Sequence, residues 1–203
     1  MICIVDYGVG NLFSLAASFE YIGQKCIVSG NPKVICQSEK LILPGVGAFE
    51  DAAAKLRENG LDDVIKNEAK KGKPLLGICL GMQLLFDKSY EFGEHEGLGL
   101  IKGDIVPMKG VIPENLKIPH IGWNALHFTE NKCPVFKYTK EGEHVYFVHS
   151  YYAADCEKNV TATTEYGAVL TAAAANANVM GVQFHPEKSG EVGLNMLRAF
   201  SEL

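Results

Sequence analysis

The sequence predicts an α/β protein: a mostly parallel sheet with helices on both faces, and a strand-rich second half that adds antiparallel strands. Two observations predict it. Short apolar runs alternate with segments of helical apolar spacing through the first 86 residues. From about residue 97 to residue 182 the pattern changes to short strands separated by turn residues, with weak helical periodicity.

The elements follow in order. Residues 2–5 form a buried strand, and residues 11–22 a helix through Leu12, Leu15, Phe19 and Ile22. Residues 25–28 and 40–43 are the second and third strands, the latter stopped by Pro44-Gly45. Residues 50–71 are helical with a break at Asn59-Gly60. Residues 74–78 are the fourth strand, and residues 81–86 start another helix. In the second half, strands are predicted over 100–106, 144–148, 160–165 and 179–183, with an amphipathic helix over 194–203. The run Ala172–Ala175 lies between apolar neighbours and reads as a buried strand rather than a helix.

Length and composition bound the answer. The 203 residues suit one α/β domain, 1–203, and a 47% hydrophobic content supplies a full core. The net charge of −5 comes from 19 basic against 24 acidic side chains, with no long basic run, which argues against a nucleic-acid partner. Six cysteines include no C-x-x-C pair, and the His and Cys residues lack metal-ligand spacing, so neither a metal nor a cofactor is expected. The start has no signal-peptide pattern, and no apolar run reaches the ~18–20 residues a membrane helix needs. The expectation is a reduced, cytoplasmic protein with no membrane partner.

Three motifs carry chemistry. In Gly77-Ile78-Cys79-Leu80-Gly81 a strand runs into a Gly-x-Cys-x-Gly turn and then a helix, the nucleophile-elbow pattern with cysteine as nucleophile. The glycines permit the sharp turn, and the helix N-terminus favours a thiolate. Taken alone, a buried cysteine between two packing glycines fits equally well. In Gln183-Phe184-His185-Pro186-Glu187, an extended backbone points His185 and Glu187 to one side. There the carboxylate can orient the imidazole as a base, although by itself a chance surface pair is the better reading. In Leu43-Pro44-Gly45-Val46-Gly47-Ala48-Phe49, a Gly-flanked turn between strand and helix offers backbone N–H groups. Those of Val46 and Leu80 are the candidate oxyanion donors, and a purely structural turn is the better reading of that motif by itself. Together, a cysteine elbow, an oriented histidine and an oxyanion turn at strand ends of one sheet favour chemistry.

The segment Gly77 to Gln83 with His185-Pro186-Glu187 resembles the signatures of class I glutamine amidotransferases. Asp6 to Leu12, Pro44 to Phe49, Pro119 to Asn124, Tyr146 to Tyr152 and Phe184 to Ser189 are similar to the branch formed by glutaminase subunits of imidazole glycerol phosphate synthase. The resemblance covers essentially the whole chain. It implies a flavodoxin-like sheet and a triad of Cys79, His185 and Glu187 that releases ammonia from glutamine through a thioester. It implies Val46 and Leu80 as oxyanion donors, with Gly47, Gln83, His149, Ser150 and Tyr151 holding the substrate. It further implies a (β/α)8-barrel cyclase subunit as partner, through which ammonia reaches a phosphoribosyl formimino substrate. Asn11, Trp123, Tyr138 and Lys188 are the candidate docking residues; a core position for Trp123 and a solvated Lys188 are the plainer readings. In that branch the Gly45–Val46 peptide is thought to turn its carbonyl into the site at rest. Little glutaminase activity is therefore expected from the chain alone.

Three alternatives remain. A similar subunit supplies ammonia for amidation of a surface-sugar precursor in some bacteria. A stand-alone Cys–His hydrolase or a small chaperone-like protein on a flavodoxin-like sheet would need no oriented glutamate. A catalytically silent binding module would not need all three triad members.

Overall fold

A computed structural model describes all 203 residues. The helices are α1 (Leu12–Tyr21), α2 (Pro32–Gln37), α3 (Phe49–Glu58), α4 (Leu61–Lys70), α5 (Leu80–Leu84) and α6 (Gly190–Ser201). The strands of the first half are β1 (Ile2–Val5), β2 (Cys26–Ser29), β3 (Lys40–Leu43), β4 (Leu75–Ile78), β5 (Lys88–Ser89) and β6 (His95–Glu96). Those of the second half are β7 (Asp104–Pro107), β8 (His120–Ala125), β9 (His127–Phe128), β10 (His144–His149), β11 (Tyr151–Ala154), β12 (Val160–Glu165), β13 (Val169–Asn176) and β14 (Val179–Val182).

The central sheet has eight strands in the order β2-β1-β3-β4-β14-β13-β12-β9. The β2-β1-β3-β4-β14 half is parallel and has flavodoxin-like order, and the remaining pairings are antiparallel. Two smaller sheets, β10-β8 and β11-β7-β5-β6, stand beside it.

Alternation along each strand builds two cores. Cys3, Val5, Leu41, Leu43 and Leu75 face Ile35 of α2 and the apolar sides of α3 and α4. Ile2, Ile4, Ile42, Leu76 and Ile78 face Leu15 and Phe19 of α1 and Met196, Leu197 and Phe200 of α6. Each such fully buried Leu, Ile or Phe contributes about 1.5–3 kcal/mol. Because both faces are covered, the parallel strands read as continuous apolar runs.

The break at Asn59-Gly60 is where α3 ends and α4 begins, with Gly60 at φ 63°. The Ala172–Ala175 run is strand, inside β13. Two expectations change. The strand expected over 100–106 begins only at Asp104. Leu100 and Ile101 instead donate their N–H groups to Leu85 O at 2.8 and 3.0 Å, tying a loop beneath the end of α5. The last helix starts at Gly190, four residues before the expected 194.

Candidate active site

The elbow forms where β4 delivers Cys79 into α5. Cys79 has φ 55° and ψ −114°, a strained conformation for a residue with a Cβ. The glycines on either side are required by close approach. A Cβ on Gly81 would lie 1.8 Å from Leu43 O, and one on Gly77 would lie 2.6 Å from Gly81 O. The Cys79 N–H donates to Val182 O at 2.8 Å, pinning the elbow to β14. The thiol is 8% exposed at the floor of a pocket of about 330 Å³, enough for one amino acid.

His185 follows β14 and shares this pocket. Its Nδ1 lies 2.8 Å from Glu187 Oε1, with the two side chains 3% and 1% exposed. Sequence reasoning placed the pair on an extended backbone. His185 is extended, but Pro186–Lys188 forms a 3-10 turn, and the turn brings Glu187 back against the ring. Proline suits the first position of such a turn because its φ is fixed and its missing N–H is not needed there. Burial alone would lower the His185 pKa. Hydrogen bonds to Cys79 and Glu187, and the charges of both, outweigh burial and raise it to about 9. Ser189 Oγ holds the main chain here, donating to His185 O at 2.6 Å and accepting from Tyr146 N at 3.0 Å.

Across the pocket, the Pro44–Gly47 turn places Val46 and Gly47 on the wall, beside Leu80. Tyr7, in the turn after β1, is buried and donates to Pro44 O at 2.7 Å. Burial first, and then Cys79 nearby, raise the Tyr7 pKa, so it stays a donor. A Cβ on Gly45 would lie 2.7 Å from Gly81 N, so the two turns can meet only as glycines.

Gln83, His149, Ser150 and Tyr151 also line the pocket. The His149 ring is engaged elsewhere: Nδ1 lies 2.8 Å from Tyr151 O and Nε2 lies 3.0 Å from His120 Nδ1. Burial lowers its pKa to about 4. What His149 offers the pocket is therefore main chain and a neutral ring.

The family model for class-I glutamine amidotransferases matches residues 3–202. The chain belongs to that family. It is 51% identical, over 100% of its length and 98% of the relative's, to the imidazole glycerol phosphate synthase subunit HisH of Sulfurimonas denitrificans. It is 49% identical, over 100% of its length and 98% of the relative's, to the HisH subunit of Caldanaerobacter subterraneus subsp. tengcongensis. The fold is similar to a crystal structure of a glutamine amidotransferase (TM-score 0.76, 17% identity, 99% of this chain and 97% of that one). It is similar also to PurLQS from Thermotoga maritima (TM-score 0.74, 23% identity, 98% of this chain and 96% of that one).

In this amidotransferase the four candidate docking residues do not stand together. Trp123 is 53% exposed on β8, not in the core. It lies opposite Tyr146 of β10, with ring centroids 6.0 Å apart. Lys188 lines the pocket, its Nζ 5.9 Å above the Tyr146 ring. Asn11 caps α1, accepting from Ser14 N at 3.3 Å. Tyr138 lies elsewhere. Its hydroxyl donates to Glu202 Oε2 at 2.7 Å, just past the end of α6. Lys40, at the start of β3, donates to Ser201 O there, so this is the opposite end of the sheet from Cys79. The tyrosine beside Trp123 and Lys188 is Tyr146.

Sequence reasoning missed Glu91, which also lines the pocket and accepts from Phe49 N at 2.6 Å. No motif announces it. It sits in the turn after β5, a strand of two residues, and only the tertiary fold carries it to the N-terminus of α3.

Proposed function

We propose that this chain is the glutaminase subunit of a cytoplasmic imidazole glycerol phosphate synthase in histidine biosynthesis, one domain over residues 1–203. The buried His185–Glu187 pair beside the elbow cysteine carries the chemical part of this reading. The names of relatives about half identical over nearly their whole length support the pathway, and favour it over the surface-sugar alternative.

Glutamine enters with its side-chain amide carbon against Cys79 Sγ. The sulfur attacks, and the amide oxygen becomes an oxyanion facing the N–H groups of Val46 and Leu80. The C–N bond breaks as His185 gives its proton to the leaving nitrogen, so ammonia departs and a γ-glutamyl thioester remains. His185 then takes a proton from water, which adds to the thioester; the C–S bond breaks and glutamate is released. Glu187 holds the ring by Nδ1, leaving Nε2 for this work. Glu91 supplies the counter-charge for the substrate's α-ammonium group, and the main chain at Ser150 and Tyr151 meets its carboxylate.

Free ammonia is protonated in neutral water and lost as a nucleophile, so the donor site gains from closure against an acceptor site. The partner in this reading is a (β/α)8-barrel cyclase subunit, which uses the ammonia to form imidazole glycerol phosphate and aminoimidazole carboxamide ribotide. Trp123, Tyr146 and Lys188 form the docking patch next to the pocket, with Asn11 at the start of α1. Cys79→Ala in the assembled complex is expected to abolish ammonia release from glutamine while free ammonium salts still support the cyclase reaction. Glutamine-dependent turnover by that variant would overturn the assignment.

A further inference from the structure

Gln183 is fully buried, 0% exposed, and the mechanism above does not use it. Its position follows from the sheet. β14 and β4 pair with Gly181 beside Gly77 and Val182 beside Ile78, so the next residue of each strand brings Gln183 beside Cys79. The Gln183 side chain then spans from Gln83 to the sulfur: Gln83 Nε2 lies 3.0 Å from Gln183 Oε1, and Gln183 Nε2 lies 3.8 Å from Cys79 Sγ.

The direction of this chain is set at its far end. Tyr151 O can only accept, so the Gln83 atom 3.3 Å from it is the amide nitrogen. That same nitrogen donates to Gln183, which must therefore present its oxygen there and turn its NH2 group to the sulfur. His185 also hydrogen-bonds to Sγ and the buried Tyr7 lies near it, while the main-chain group beside the sulfur is Val148 O at 3.9 Å, which only accepts. Val148 O suits the thiol, whose S–H can donate to it, and opposes a thiolate. The Gln183 N–H suits the thiolate.

We propose that Gln183 is a further catalytic residue of the glutaminase, donating an N–H to Cys79 Sγ whenever the sulfur is negative, and that Gln83 positions it. This rests on the reading of Cys79 as nucleophile. The donor acts twice in each turnover. It stabilises the thiolate that attacks glutamine, and it meets the electron pair that returns to Sγ when the C–S bond of the thioester breaks. Gln83 thereby has two duties: its nitrogen fixes Gln183, and its oxygen is left to accept from the substrate.

The test is the pH dependence of iodoacetamide alkylation at Cys79 in the full chain, read by peptide mass mapping because other cysteines, such as Cys36, are exposed. Gln183→Met keeps the size and loses the donor. Its profile is expected to move to higher pH by about one unit, the scale of one hydrogen bond to a charged group. Gln183→Glu should move it further, and Gln83→Met should move it less in the same direction. In the complex, kcat for glutamine hydrolysis by Gln183→Met should fall about ten-fold, with KM changed less. Superimposable profiles for wild type and a folded Gln183→Met would overturn the proposal. Should that variant not fold, an unshifted Gln83→Met profile overturns it equally. The two readings fail separately: glutamine hydrolysis by Cys79→Ala would sink the nucleophile, whereas shift-free Gln183 variants with an inactive Cys79→Ala sink only Gln183.

Discussion

In the proposed mechanism His185 is the acid that protonates leaving ammonia, a role open to it because its two polar neighbours outweigh its burial. With a pKa raised to about 9, the ring is an imidazolium at neutral pH and loses that proton as the pH passes about 9. Glutamine hydrolysis by the complex is therefore expected to decline on the alkaline side near that value. Glu187→Gln keeps the shape and removes a charge that favours the imidazolium. The alkaline limb should then move down toward the ordinary histidine value of ~6.5, and activity should drop about a hundred-fold or more. A pH–rate profile of the two proteins checks both; an unmoved limb in the variant would remove Glu187 from this role. The grouping of Cys79, His185 and Glu187 was legible in the sequence because its parts are short and local: a Gly-x-Cys-x-Gly turn and a His-Pro-Glu run. Glu91 was not, because a single acidic side chain carries no spacing; Gln183 stood inside the second motif, but its contact with Cys79 depends on which strand lies beside which.

At the scale of elements, the elbow depends on turns that touch through glycine. A methyl group at Gly81 would meet the Leu43 carbonyl, a backbone atom of β3 that cannot swing aside. Gly81→Ala is expected to cost about 1–3 kcal/mol or more in urea unfolding and to displace Cys79. Wild-type stability with full activity would show that β3 and α5 can part. The parallel half of the sheet was readable because strands buried on both faces are continuously apolar, as Ile2–Val5 and residues 41–43 of β3 are. Other elements were opaque for physical reasons. The helix Pro32–Gln37 has six residues, too few to show periodicity, and its only sign is the Asn31 cap before a proline. The strand His120–Ala125 includes Gly122 and Asn124, both poor strand formers, and pairing with His144–His149 makes it a strand.

For the whole molecule, the open question posed by the site is what covers it. Trp123 and Ile121 on β8 and Phe13 on α1 are exposed apolar side chains. Trp123→Ala is expected to weaken association with the cyclase subunit by about 2 kcal/mol, roughly thirty-fold in Kd, with little loss of stability because the ring is half exposed. Calorimetric titration of the two subunits checks it, and an unchanged Kd would move the docking patch away from β8. Tyr138→Ala should leave Kd unaltered, since that side chain sits with Glu202 at the other end of the sheet. A linear sequence orders residues without saying which end of a sheet they reach, which is why Tyr138 and Tyr146 were not separable before the fold was known.

The central claim is that the Cys79 site is a glutaminase coupled to a cyclase partner. Ammonia release from glutamine by the purified chain, alone and then with the cyclase subunit and its nucleotide ligand, tests it most directly. The account expects little release from the chain alone and ready release in the full mixture. Equal release with and without the partner would contradict the coupling, and silence in every mixture of folded proteins would contradict the assignment to histidine biosynthesis.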